Sequence, residues 1–144
     1  MRVREIMTGA LVTVPPDMPV FDARHLMDEK RIRHLLVTDP AGQLVGIVTD
    51  RDIRLHLPSQ ATSLSVWEIN HLLTKLEVNA IMTKAVVTIG PDDTVSRAAQ
   101  IMLNRTIGAL PVLDDGRLIG IVTESDVLRA FVRTEEMAAA VRVV

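Results

Sequence analysis

The chain repeats itself. Val3-Arg-Glu-Ile-Met-Thr8 returns as Val78-Asn-Ala-Ile-Met-Thr83, and Val12-Thr13-Val14 returns as Val87-Thr88-Ile89. Pro16-Asp17 matches Pro91-Asp92, and Leu35-Leu36-Val37 matches Leu110-Pro111-Val112. After a one-residue deletion ahead of Gly116, Gly42-Gln-Leu-Val-Gly-Ile-Val-Thr49 falls on Gly116-Arg-Leu-Ile-Gly-Ile-Val-Thr123, and Asp52 falls on Asp126. Two Val/Ile-rich segments do not share a Gly-Ile-Val-Thr-x-x-Asp block by chance, so one supersecondary unit is built twice. Such a unit is small for a self-sufficient core. The two copies are therefore expected to gain stability by packing sheet against sheet.

Each copy carries the same pattern. A short apolar strand is expected at 11–14 and again at 86–89, followed by a Pro-Asp turn. Apolar residues then recur at helical spacing: Val20, Ala23, Leu26 and Met27 in the first copy, Val95, Ala98, Ala99, Ile101 and Met102 in the second. Two β-branched runs follow, 34–38 with 44–49 and 109–113 with 118–123. Asp39-Pro40-Ala41-Gly42 and Asp114-Asp115-Gly116 separate them as hairpin turns. A second helix follows each Thr. The fold class is α/β (α+β), with β-α-β-β-α repeats at 1–56 and 78–131, a linker and helix at 57–77 and a helical tail at 132–144. In the middle segment Pro58 ends the preceding helix. Ser65-Val-Trp-Glu68 reads as a capping box, continued by Ile69, Leu72, Leu73 and Leu76. Trp67, at that helix start, is expected to pack in the core or an interface rather than stack on a ligand. In the tail, Phe131, Met137, Ala138 and Val141 share helical spacing, as a contact surface or as a terminal helix packed on its own subunit.

Composition removes several function classes. In 144 residues, sixteen Lys/Arg against eighteen Asp/Glu give a formal charge of −2 with no basic stripe, so a nucleic-acid binder is not expected. Phe21, Trp67 and Phe131 are too few for a base-stacking platform. With no cysteine, disulfides and thiolate chemistry are excluded, and His25, His34, His56 and His71 share no ligand spacing, so no metal site is expected. No nucleophile elbow, phosphate loop, His-Glu-x-x-His or dinucleotide fingerprint occurs. Asp50 with Asp52 and Glu124 with Asp126 supply carboxylates, yet each pair sits within one helical turn, and catalysis is not expected. No apolar run is long enough to span a membrane. Met1–Glu5 carries charge with no apolar stretch behind it, so a cytoplasmic location is the default.

Met-Thr at the start, a Pro-Asp turn, Leu-Pro-Val-x-Asp in the middle and Gly-Ile-Val-Thr-x-x-Asp at the end resemble cystathionine-β-synthase (CBS) domains. The tandem arrangement resembles a Bateman module over 3–56 and 78–130. The resemblance implies pseudo-twofold symmetry, two clefts that bind adenine nucleotides in many members, and a flat homodimer. Members differ in ligand: AMP, ADP, ATP, S-adenosylmethionine, or none.

From the residues alone, Thr-x-x-Asp at a strand end has two readings that can coexist. Thr49 and Thr123 can cap their helices while Asp52 and Asp126 return the hydrogen bond. The same helix entrance offers unpaired N–H groups and a positive dipole end to a phosphate. A carboxylate just inside can accept from two vicinal ribose hydroxyls, as the acidic residue of dinucleotide folds does. Apolar strand starts can wall a purine. In relatives a basic pair often stands where Arg33-His34 stands and reaches phosphates. The resemblance implies one site of Thr8, Leu11, Val12, Arg33, His34, Thr123 and Asp126, and a weaker one of Thr83, Val86, Val87, Thr49 and Asp52. In the weaker site Gly108-Ala109 replaces the cations.

The expected function is thus a regulatory adenine-nucleotide sensor, AMP favoured, with no catalytic cofactor. It would act in trans on a regulated protein or through its own homodimer, since the chain has no room for an attached enzyme or channel. The alternatives are an interaction protein with empty or weakly filled clefts, and a binder of S-adenosylmethionine or an NAD-type ligand.

Overall fold

The structure is a computed structural model and describes residues 1–56 and 64–143. Pro58 lies outside these residues. In chain order the elements are β1 (Thr13–Val14), α1 (Val20–Lys30), β2 (His34–Thr38), β3 (Leu44–Thr49) and α2 (Asp50–Leu55). Then come α3 (Val66–Lys75), α4 (Val95–Arg105), β4 (Ala109–Asp114), β5 (Arg117–Thr123) and α5 (Glu124–Val143). Short 3-10 turns open each repeat at Val3–Glu5 and Val78–Ala80. The architecture is the mixed α+β one expected.

Two compact units divide the chain, Met1–Leu11 with Val87–Val144, and Val12–Val86. The opening turn of each repeat is thus built into the unit that carries the body of the other. Val3 and Ile6 join Leu110, Val112, Val122 and Ala130 in one core, while Val78 and Ile81 join Leu35, Val37, Val48 and Ile53 in the other. Side chains of this kind contribute about 1.5–3 kcal/mol each when fully buried, so each opening turn is anchored by its two apolar residues.

The hairpins follow their turn chemistry. Between β4 and β5, Asp115 (φ 51°) and Gly116 (φ 80°) are both left-handed, the geometry of a two-residue turn that matches strand twist. Between β2 and β3 the loop is longer, and Asp39 Oδ1 accepts from the amides of Ala41 (3.0 Å) and Gln43 (2.8 Å). Both hairpins run antiparallel, His34 opposite Thr49 and Ala109 opposite Thr123.

The first strands are shorter than their apolar stretches suggest. Of 11–14 only Thr13–Val14 is strand, paired parallel to β2. Of 86–89 only Ile89 bridges Val112, through Ile89 N to Pro111 O and Leu113 N to Ile89 O, both 3.0 Å. Each sits at the edge of its sheet, where little of its backbone finds a partner.

On α3 the Ser65 cap forms as expected, with the Glu68 amide donating to Ser65 Oγ at 3.2 Å. Leu73 is buried, with Ile69 and Leu76 packed beside it. Of the core or interface packing expected for Trp67, the core is excluded: it is 73% exposed and stacks on His71, ring centroids 5.4 Å apart. At about 100° per residue it lies roughly 200° from Ile69, on the far side of the helix. On α5, Phe131, Met137 and Val141 are likewise exposed, so the tail does not bury its apolar face within its own unit.

Candidate functional site

Strand β3 ends at Thr49, whose extended backbone (φ −116°, ψ 161°) turns the chain into α2. Thr49 Oγ1 accepts from the Asp52 amide at 3.1 Å, and the Thr49 amide donates to Asp52 Oδ2 at 2.9 Å. Strand β5 hands over to α5 in the same way. Thr123 Oγ1 accepts from the Asp126 amide at 3.3 Å, while the Thr123 amide donates to Asp126 Oδ2 at 2.9 Å. The Thr123 hydroxyl donates to the same oxygen at 3.0 Å. Both expected caps are therefore present.

The two carboxylates differ in their second oxygen. Asp126, 5% exposed, also accepts from Arg129 Nη2 at 2.7 Å. Asp52 is half-buried, and among the described residues its carboxylate accepts only from Thr49. The position equivalent to Arg129 in the first repeat is Leu55, which is exposed. Arg129 is the partner of this carboxylate that reading the sequence missed; the Asp-x-x-Arg spacing along a helix face was its only signal.

Each cap lies beside the threonine of the other repeat's opening motif. Thr8 forms an antiparallel bridge with Ile121, and Thr83 forms one with Ile47. Opposed residues share a face, as do residues two apart. So Thr8, Ile121 and Thr123 line one face of the first unit, and Thr83, Ile47 and Thr49 one face of the second. Thr8 and Thr83 are exposed. These faces are opposite to those of Leu110, Val112 and Val122, and of Leu35, Val37 and Val48, which fill the cores.

Within the second unit, His34 stands opposite Thr49, and the Asp50 amide donates to the Arg33 carbonyl at 2.9 Å. The basic turn is thus tied to the α2 entrance. Arg33 is exposed and His34 half-buried. The equivalent bond, Glu124 amide to Gly108 carbonyl at 3.0 Å, ties down a turn without cations. Val12 and Val86 belong to the unit of Asp52, Leu11 and Val87 to that of Asp126, all partly buried. The first unit so gathers Thr8, Leu11, Val87, Thr123 and Asp126; the second gathers Val12, Arg33, His34, Thr49, Asp52, Thr83 and Val86.

Each face offers a helix entrance, a carboxylate and two hydroxyls, an acceptor-and-donor set for a polyhydroxylated anion. Among the described residues no cluster of three His, Asp or Glu could hold a metal ion, and no helix is long and apolar enough to cross a membrane.

Comparison with known proteins adds to this geometry. The CBS domain family model matches residues 3–59 and 78–133. A CBS domain-containing protein of Dictyostelium discoideum is 36% identical over 135 residues, covering 93% of each chain. The crystal structure of the CBS domain pair of protein MJ0100, in complex with 5′-methylthioadenosine and S-adenosyl-L-methionine, is 29% identical (TM-score 0.76, 93% of this chain and 98% of that one). The structure of CBSX2 in complex with AMP is 32% identical, with TM-score 0.75 and the same coverage. Among longer relatives, the chain spans 23% of the homoserine O-acetyltransferase of Methanohalobium evestigatum.

Proposed function

The chain belongs to the CBS domain family, and from that premise we propose that it is a regulatory module binding an adenosyl ligand, AMP first among the candidates, without catalysing a reaction. The observation that carries this reading is the duplicated helix entrance, where a capped carboxylate stands beside an exposed threonine from the other repeat. Asp126 and Asp52 take the ribose hydroxyls. Thr8 and Thr123, or Thr83 and Thr49, contribute hydroxyls beside them, and Leu11, Val12, Val86 and Val87 offer apolar surface to the purine. Arg33 and His34 supply positive charge for phosphate. The ligands bound by MJ0100 and CBSX2 support the adenosyl class.

The sites are unequal, with that of Asp126 the tighter. Its carboxylate is buried and already held in place, which lowers the ordering cost of binding. Arg129 pairs directly with its carboxylate, a contact that Leu55 cannot make at the Asp52 cap. A carboxylate has about four acceptor positions; Asp126 uses three, so Arg129 swings from Oδ1 to phosphate as the ribose arrives. Ligand changes the balance of conformations through its different affinity for them, by about 1–3 kcal/mol in typical systems. The output passes to a partner protein or to a second copy of the chain.

Thermal melts with AMP, ADP, ATP, S-adenosylmethionine and NADH test this. A true ligand at 100 times its Kd stabilises the fold by about 2.7 kcal/mol. A second reading, an interaction protein whose aspartates serve only as caps, is favoured by the hydrogen bonds both carboxylates make to their own helix entrances. It predicts no shift with any of the five.

A further inference from the structure

Each repeat opens on Met-Thr, and the two side chains do different things. Thr8 and Ile121 exchange both backbone hydrogen bonds, at 2.9 and 3.0 Å; Thr83 and Ile47 do the same, also at 2.9 and 3.0 Å. Successive side chains on extended backbone point to opposite faces. With the threonine on the face of the capped carboxylate, the preceding methionine turns toward the core, and Met7 and Met82 do pack against the cores of their units. Beneath each lies a glycine. A Cβ on Gly120 would fall 2.7 Å from Met7 Sδ and 3.2 Å from its Cγ. A Cβ on Gly46 would fall 2.9 Å from Met82 Cγ, with the sulfur closer still. Carbon contacts settle near about 3.5–4.0 Å, so both glycines are holes that only a bare backbone leaves open to the methionine.

We infer that Met7 and Met82 are positioning residues: seated over Gly120 and Gly46, they fix the register that sets Thr8 beside the Asp126 cap and Thr83 beside the Asp52 cap. A slip of one residue along either bridge would turn the threonine into the core and the methionine onto the site face. The bridge itself holds only two hydrogen bonds, so the methionine's seat extends to the threonine the anchoring that Val3 and Ile6, or Val78 and Ile81, give the turn before it. The consequence for binding rests on the function proposed above: affinity at each carboxylate depends on a methionine of the other repeat that touches no ligand.

The cleaner test lies at Gly46, because the three atoms nearest a methyl there all belong to Met82, whereas at Gly120 the Thr8 carbonyl oxygen stands among them at 3.1 Å. Amide hydrogen exchange at Thr83 and Ile47 is measured without ligand in the full chain carrying Gly46→Ala, Met82→Ala, or both. AMP titration follows in an Asp126→Ala background, where the Asp52 site is read alone. Gly46→Ala displaces Met82, so both amides exchange about tenfold faster, local opening being what exchange reports, and AMP binds more weakly. In the double variant the new methyl takes space that Met82 vacates, and both readouts return toward wild type. Met82→Ala introduces no clash and also speeds exchange, which keeps the test alive if Gly46→Ala does not fold. Wild-type exchange in Met82→Ala, a double variant as fast as Gly46→Ala alone, or faster exchange with unchanged AMP affinity would each overturn the inference. If the wild-type chain binds no AMP, it is the ligand reading that falls, and the exchange pattern alone decides whether methionine sets the register.

Discussion

Arg129 reaches back three residues along α5 and places its guanidinium 2.7 Å from Oδ1 of Asp126, while Leu55 stands at the corresponding place in the first repeat. Near-identical caps thus carry different charge. Arg129 is 67% exposed, so the pair contributes at most about 1 kcal/mol to folding. Arg129→Leu, which copies the first repeat, is expected to lower the urea midpoint only slightly. AMP affinity should fall about tenfold, equivalent to one lost charged contact of about 1.4 kcal/mol. Loss of stability without loss of affinity would make Arg129 a structural residue only.

The opening segment is held by charge as well as by apolar contact. Arg4 Nε donates to Asp92 Oδ1 at 2.9 Å. That hydrogen bond, and then the guanidinium charge, hold the Asp92 carboxyl below the ordinary carboxylate range and raise the Arg4 pKa. A carboxyl with a lowered folded pKa stabilises fully above its unfolded value of about 3.9, and the contribution is lost as pH falls through the folded value. Urea midpoints followed from pH 7 to pH 3 should therefore fall less steeply in Asp92→Asn than in wild type. The difference should shrink at high salt, since the pair is exposed. Parallel profiles would contradict the assignment.

The β4–β5 turn depends on Gly116, whose φ of 80° is strained for any side chain. Nothing lies within 4 Å of a Cβ placed there, so Gly116→Ala measures backbone strain alone. The expected loss is about 1–2 kcal/mol, read from chemical denaturation. A neutral result would mean that the turn adopts another geometry.

Leu128, Phe131, Val132, Met137 and Val141 on α5 are all exposed. Phe131→Ala is therefore expected to cost under about 0.5 kcal/mol in a monomeric chain, as surface changes do. If the face meets a second copy, the wild-type melting temperature rises with protein concentration, and the same substitution shifts the sedimentation profile toward monomer and weakens that dependence. A loss of several kcal/mol at all concentrations would place Phe131 in its own unit's core instead.

Much of this was legible in the residues. Strands β2 and β3 stand where the β-branched runs and hairpin turns put them, and both Thr-x-x-Asp caps form because their hydrogen bonds are local. What was not legible is non-local. Nothing in Val3-Arg-Glu-Ile-Met-Thr8 says which body its apolar residues join, and the structure seats Val3 and Ile6 with the second repeat's body. The first strands shrink because hydrophobicity does not report whether an edge finds a partner. Of the two places expected for Trp67, core or interface, the core is ruled out by its angular position on α3, which sets it away from Ile69 and Leu73.

Calorimetric titration of AMP into wild-type, Asp126→Ala and Asp52→Ala chains tests the central claim most directly. Each substitution removes the carboxylate half of one capping box and leaves its threonine cap in place, so urea midpoints of both variants, measured alongside, separate lost folding from lost binding. The account predicts that wild type binds AMP, that Asp126→Ala weakens it at least about tenfold, and that Asp52→Ala weakens it less. Equal affinity in all three chains, or no binding by the wild type, would contradict it.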